Sequence, residues 1–248
     1  MLSKNQIKMQ EHKFFKIFLL LIITNISLSK SFTSSDPYIY TKINAKTLKK
    51  YLNDKSIYVI DTREISTAAL GFIPSSLIIP SSMFSWVDAV VPEMAKVILI
   101  TDLTNRDATI ASFSNLGKFK LFGYCIYDEI IESASFNIQQ IVYDPNTKES
   151  ITKIVENKGN IIDIREISEY KETGVIKEAN LIPLRTFQND YGKIPKEGNV
   201  YVFCKSGGRA VVGMSYAKRA GYSNNFIIMK GGMTQAISEG YPLVPYEG

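Results

Sequence analysis

Apolar and polar positions along this chain fall into short blocks. The runs "IYVI" (57–60), "SLIIP" (76–80), "KVILI" (96–100) and "LFGYCIY" (121–127) are rich in Ile, Val and aromatic residues. Each is bounded by Gly, Pro, Asn or charged residues, so they read as buried β-strands. Between them lie stretches of helical period: "AKTLKKYLND", opened by Asn44 as a cap, and a segment that ends at Gly117. The same alphabet then repeats. "ITKIVENKG", with Ser150 as its cap, leads to "NIID" (160–163), "ANLIP" (179–183), "NVYVF" (199–203), a helix ending at Gly221 and "NNFIIM" (224–229). Strands alternating with helices predict an α/β fold, a parallel sheet covered on both faces, in each half.

The correspondence between halves extends to individual residues. Asp61, Arg63 and Glu64 recur as Asp163, Arg165 and Glu166, 102 positions on, and Gly71 and Pro80 recur as Gly174 and Pro183, 103 positions on. The second offset holds from Arg106 to Arg209. A period of this length is too long for a solenoid unit and matches a small domain. The expected organisation is a first domain over 38–138, a linker over 139–149 with its Asp144-Pro145-Asn146 turn signal, and a second domain over 150–248. Because both copies carry the Asp-x-Arg motif, Asp61 with Arg63 and Asp163 with Arg165 are expected to be structural sheet-edge pairs that hold a turn. The aromatic stretch around Trp86 is assigned to packing, with a cleft between the domains as its other possible place.

Composition changes this picture at the N-terminus. Lys4, Lys8, Lys13 and Lys16 precede an apolar run over 17–23, and Ser27-Leu28-Ser29 offers a small-x-small site. Residues 1–29 are therefore expected to be a cleaved signal peptide rather than an anchor, the apolar run being short for a span. This points to export, to a bacterial periplasm, with no stable membrane insertion after cleavage. Removing four lysines and Glu11 takes the net charge from +5 to about +2. No basic cluster interleaved with aromatics remains, so nucleic acid is not an expected partner. The one histidine, His12, lies in the same leader. Without it, Ser-His-Asp and Cys-His catalysis are excluded, and no metal or cofactor is expected.

The chemistry then concentrates in "VYVFCKSGGRAVVG" (200–213). Only two cysteines occur, Cys125 and Cys204. They lie in different copies and in non-equivalent elements, so a bridge between them is not expected. Cys125, flanked by Tyr124 and Ile126, reads as a small core residue. Cys204, Lys205, Ser206, Gly207, Gly208 and Arg209 lie between a buried strand and a helix, where α/β sheets bind ligands. Glycines let the backbone curl and turn its N–H groups inward, and the helix N-terminus favours negative charge. An isolated Cys-x4-Arg would be an ordinary strand end. Strand, glycines, two cations and helix together point to a nucleophilic thiolate of lowered pKa at Cys204, with Lys205 and Arg209 drawing an anionic substrate.

With these residues in place, the chain from about 38 to 248 resembles the rhodanese (sulfurtransferase) family in its tandem-domain form. The likeness rests on Asp-x-Arg after the first strand, the Gly-x-Ile…Ile-Pro turn, the Cys-x-Ser-Gly-x-Arg loop, and "KGGM" (230–233) ahead of "EGYPL". It implies that Cys204 is catalytic and takes a sulfane sulfur as a persulfide, and that residues 205–209 bind the substrate. The implied partners are a small anionic sulfur donor, such as thiosulfate or polysulfide, and an acceptor that is a thiol, cyanide or a protein. The family's Gly-His-Ile reads Gly174-Val175-Ile176 here. The first copy's loop, Thr101-Asp102-Leu103-Thr104-Asn105-Arg106, has neither thiol nor glycine and is expected to be inactive. Two other functions compete: a non-catalytic sulfur-carrying module that docks to a partner enzyme, and a phosphatase or arsenate reductase. The family resemblance argues against the latter, since its four-residue spacing between Cys204 and Arg209 suits a single sulfur atom rather than an oxyanion.

Overall fold

The computed structural model describes residues 40–248, so the leader expected over 1–29 lies outside the described residues. The first half runs β1 (Thr41–Lys42), α1 (Ala45–Leu52), β2 (Ile57–Asp61), α2 (Ile65–Leu70) and β3 (Leu77–Ile78). A 3-10 stretch over Ser81–Trp86 enters α3 (Val87–Val90), and β4 (Lys96–Thr101), α4 (Arg106–Ser114), β5 (Lys120–Ile126) and α5 (Tyr127–Ser133) follow. The second half repeats the plan with β6 (Val142–Asp144), α6 (Lys148–Glu156), β7 (Asn160–Asp163), α7 (Ile167–Thr173) and β8 (Asn180–Leu181). It closes with α8 (Phe187–Asp190), β9 (Asn199–Phe203), α9 (Gly208–Arg219), β10 (Asn225–Met229) and α10 (Gly232–Ser238).

Each half forms one five-stranded sheet, in the orders β1-β5-β4-β2-β3 and β6-β10-β9-β7-β8. Every pairing within them is parallel. The two orders are the same once five is added to each strand number, as a duplication requires. The central strands are near-continuous apolar runs because helices cover both faces. Val97, Ile98, Leu99 and Ile100 of β4, for instance, are all fully buried, each such side chain contributing roughly 1.5–3 kcal/mol.

Three apolar clusters result among the described residues. One lies on the outer face of the first sheet, around Leu48, Val59, Ile98 and Cys125. Another lies on the outer face of the second, around Ile151, Ile161, Phe203 and Met233. The third joins residues of both halves, from Ile60, Leu77 and Leu99 to Val202, Val212 and Ile228. The two sheets therefore share one core. Helix α9 lies at this seam: the Ile78 amide on edge strand β3 donates to Ser215 Oγ at 3.0 Å. Farther along, Arg219 donates to the Lys55 and Ile57 carbonyls, and Lys55 Nζ donates back to the Arg219 carbonyl at 2.6 Å.

Several expectations need correcting. The stretch expected as a linker, 139–149, is itself paired to both halves. Gln139 bridges Phe72 of the first half, the Ile141 amide donates to the Ala69 carbonyl, and Val142–Asp144 joins β10 as an edge strand. A three-residue strand carries too little periodicity to be read in advance; the open edge of β10 supplies its pairing. Asn44 does cap α1, but α6 is capped by Thr147, whose hydroxyl accepts the Ser150 amide. Ser150 instead donates to Asp144 Oδ1 at 2.6 Å. The Asp-x-Arg pairs are not at a sheet edge either, since β2 and β7 are inner strands.

Candidate functional site

The site begins with the turn after β7. Arg165 folds back on Asp163 through Nε and Nη2, and donates onward from Nη2 to the Gly174 carbonyl at 2.8 Å and from Nη1 to Thr173 Oγ1 at 2.7 Å. The pair is almost wholly buried, and it ties the strand end to the far end of α7. Tyr170 adds a hydroxyl bond to the Asp163 carbonyl at 2.7 Å. The first half builds the same device, with Arg63 on Asp61 and the Gly71 carbonyl, and Tyr127 stacked on the guanidinium. What α7 gains from this anchoring is a fixed position for Glu169. That carboxylate caps its own helix through the Glu166 amide and receives both terminal nitrogens of Arg209, at 2.6 and 2.7 Å.

Cys204 follows directly on β9 and is 1% exposed. Gly207, with φ +102°, turns its amide onto Cys204 Sγ at 3.0 Å, a conformation few L-residues would adopt. Burial pushes the Cys204 thiol up from its ordinary value, while the Ala210, Ser206 and Gly207 amides and the Arg209 charge pull the other way. The lowered thiol expected from the motif is thus corrected: in the resting structure desolvation outweighs the bowl of amides. Burial also works against the Glu169 carboxylate, but the bonds from Arg209 and the Glu166 amide outweigh it and hold Glu169 below the usual range.

Helix α10 braces the loop from behind. The Met233 amide donates to the Cys204 carbonyl at 2.7 Å and the Thr234 amide to the Lys205 carbonyl at 3.0 Å. Gly232, with φ +58°, makes this approach possible, for a Cβ there would overlap the Cys204 carbonyl oxygen. The first half supplies the opposite wall. A Cβ on Gly208 would stand 3.2 Å from Met83 Sδ and 3.5 Å from Ile65 Cδ1. Trp86 has the Arg209 guanidinium 5.0 Å and the Arg185 guanidinium 4.5 Å from its ring centre. Arg185 is in turn paired with Asp88 at 2.6 Å.

The structure therefore brings Cys204, Gly207, Gly208 and Arg209 together, while the Lys205 and Ser206 side chains are exposed. Arg209 is already neutralised by Glu169, so its charge is less available to a substrate anion than the motif suggested. Glu169 is not legible as a site residue because only the fold carries it to the loop, whereas the stretch holding Met83 and Trp86, assigned to packing, takes its other expected place, against the loop from the first half. At the matching place in the first half, Arg106 pairs with its neighbour Asp107 at 2.7 Å, for Thr67 stands where Glu169 would be. Both cysteines are free, and burial pushes the Cys125 thiol up to about 12.

A buried thiol at the carboxyl end of a parallel strand, ringed by loop amides and closed by an Arg–Glu pair, defines an α/β protein with a cysteine-loop site in the second of its two tandem copies. The family model for the rhodanese-like domain matches residues 147–239. A sulfurtransferase of Allochromatium vinosum is 30% identical over 88 residues, 36% of this chain and 80% of that protein. The chain belongs to the rhodanese-like family. Among solved structures, a rhodanese-related protein from Thermoplasma volcanium is 22% identical, with a TM-score of 0.36, over 40% of this chain and 96% of that one. A thiosulfate sulfurtransferase from Pseudomonas aeruginosa is 15% identical, with a TM-score of 0.36, over 84% of this chain and 44% of that one.

Proposed function

We propose that Cys204 carries a sulfane sulfur from a small anionic donor of the thiosulfate or polysulfide class to a thiol, cyanide or protein acceptor. The family match and the sulfurtransferase relative support a sulfurtransferase-like role. The observation that carries the finer reading is the Gly207 amide bonded to Cys204 Sγ within a loop whose other amides also oppose the cost of charge there. In the first step Cys204 loses its proton to solvent, against the cost its burial sets, and the thiolate attacks the outer sulfur of the donor. The donor's S–S bond breaks, a new S–S bond forms, and with thiosulfate the leaving group is sulfite. The terminal sulfur of the persulfide is then an anion, and the same amides serve it. An acceptor thiolate attacks that sulfur and releases Cys204 as thiolate, so the cycle needs no outside oxidant or reductant. Lys205, exposed at the rim, is assigned to steering the donor anion.

A sulfur-carrier role beside a partner enzyme shares the first step and differs in turnover; the neutralised Arg209, which weakens capture of a free dianion, favours it. Mass spectrometry after incubation with polysulfide should find one added sulfur on the Cys204 peptide, and Cys204→Ser should abolish both loading and thiosulfate:thiol transfer. Asp102→Ala, on the inactive loop, should leave turnover within a few-fold. Transfer that persists in Cys204→Ser would move the chemistry elsewhere. The leader over residues 1–29 supports export to a bacterial periplasm, which N-terminal sequencing tests by finding a start near Lys30.

A further inference from the structure

We propose that Asn146, in the connection between the two halves, is a positioning residue for the Cys204 loop. Asn146 is fully buried and sits at φ +60°. Its backbone N–H donates to Asp144 Oδ1 at 2.7 Å. Its side chain donates twice, from Nδ2 to the Lys230 carbonyl at 2.8 Å and to the Gly232 carbonyl at 2.7 Å. These bonds clamp both sides of the turn at Gly231 and Gly232. The buried Oδ1 takes no partner, so the two donated bonds are what orient this side chain.

The clamped turn in turn aims the catalytic loop. Met233 and Thr234, immediately after it, donate to the Cys204 and Lys205 carbonyls. A trans peptide is planar, and its C=O and N–H point in opposite directions. With the Lys205 carbonyl held toward α10, the amide of Ser206 in the same peptide must point away from α10. That amide is among those acting on Cys204 Sγ. Likewise, holding the Cys204 carbonyl toward α10 fixes the plane from which the next residue departs. Asn146 thus acts through Gly232 on the direction of the loop's N–H groups, without touching the thiol.

This inference rests on the reading of Cys204 as the sulfur-carrying thiol, and the test separates the two. Asn146→Asp keeps size and tolerance of positive φ but cannot donate to two carbonyls. Asn146→Gly keeps the backbone conformation and leaves both carbonyls without their donor. In folded protein, either variant should lower kcat for thiosulfate:thiol transfer about 10- to 100-fold, with KM changed by less than about threefold. The midpoint of Cys204 alkylation against pH should move upward, and Gly232→Ala should reproduce both effects. A merely structural Asn146 would lower the melting temperature and leave kcat and the midpoint of the folded protein at wild-type values, and that result would overturn the proposal. So would loss of fold in both Asn146 variants, which would make it a stability residue. If wild-type protein transfers no sulfur, the functional reading fails, while the alkylation midpoints still decide the role of Asn146.

Discussion

Replacing Glu169 by glutamine should move stability and donor affinity in ways that only the Arg209 ion pair links. The pair is bidentate, and its side chains are 10% and 18% exposed. Removing one member of a fully buried pair costs about 3–5 kcal/mol. Partial exposure and the acceptor oxygen that glutamine retains reduce this to about 2 kcal/mol. For a domain pair of this size, that lowers Tm by roughly 4–8 °C. Because Glu169 is held below its ordinary value of 4.5, its contribution is complete above that value and is lost as pH falls through the depressed folded value. The Tm gap between wild type and Glu169→Gln should therefore close in acid. Catalytically the effect has the opposite sense. Arg209, still stacked on Trp86, gains an unmatched positive charge. A donor charge roughly 6 Å away in a medium of effective dielectric about 40 gains ~1.4 kcal/mol, a tenfold fall in KM. The measurements are thermal melts across pH and thiosulfate KM at low and high salt, where the gain should shrink with salt. A thiosulfate KM that rises in the folded variant, or a Tm gap that persists unchanged in acid, would refute the reasoning.

Two further outcomes follow from the same geometry. Cys204 alkylation should have its midpoint above the ~8.5 of a free thiol, because burial raises it, and Arg209→Ala should raise it further by removing an opposing charge; a wild-type midpoint below 8.5 would show that the amides outweigh desolvation. Arg165→Ala leaves Asp163 buried without its partner and should cost about 3–5 kcal/mol in urea unfolding, and a loss under about 1 kcal/mol would show that the turn does not depend on the pair.

Elements with a local cause were legible along the chain alone. The strands over Ile57–Asp61, Lys96–Thr101 and Asn199–Phe203 were legible because a buried parallel strand is an unbroken apolar run between breakers. The duplication was legible because Asp61, Arg63 and Glu64 recur in register. The Cys204 loop was legible because a thiol, paired glycines and an arginine between strand and helix have a common physical purpose. What needed the tertiary structure was every interaction between residues far apart in the chain. The partner of Arg209 is Glu169, 40 residues away; Trp86 reaches both arginines from the other half; and Asn146 reaches the turn behind the loop from 86 residues away. The direction of the Cys204 shift belongs to the same class. A motif specifies which amides and charges surround a thiol. How much water is excluded depends on the shared core and on the wall of Met83, Ile65 and Trp86, and burial is a property of all the packed elements at once.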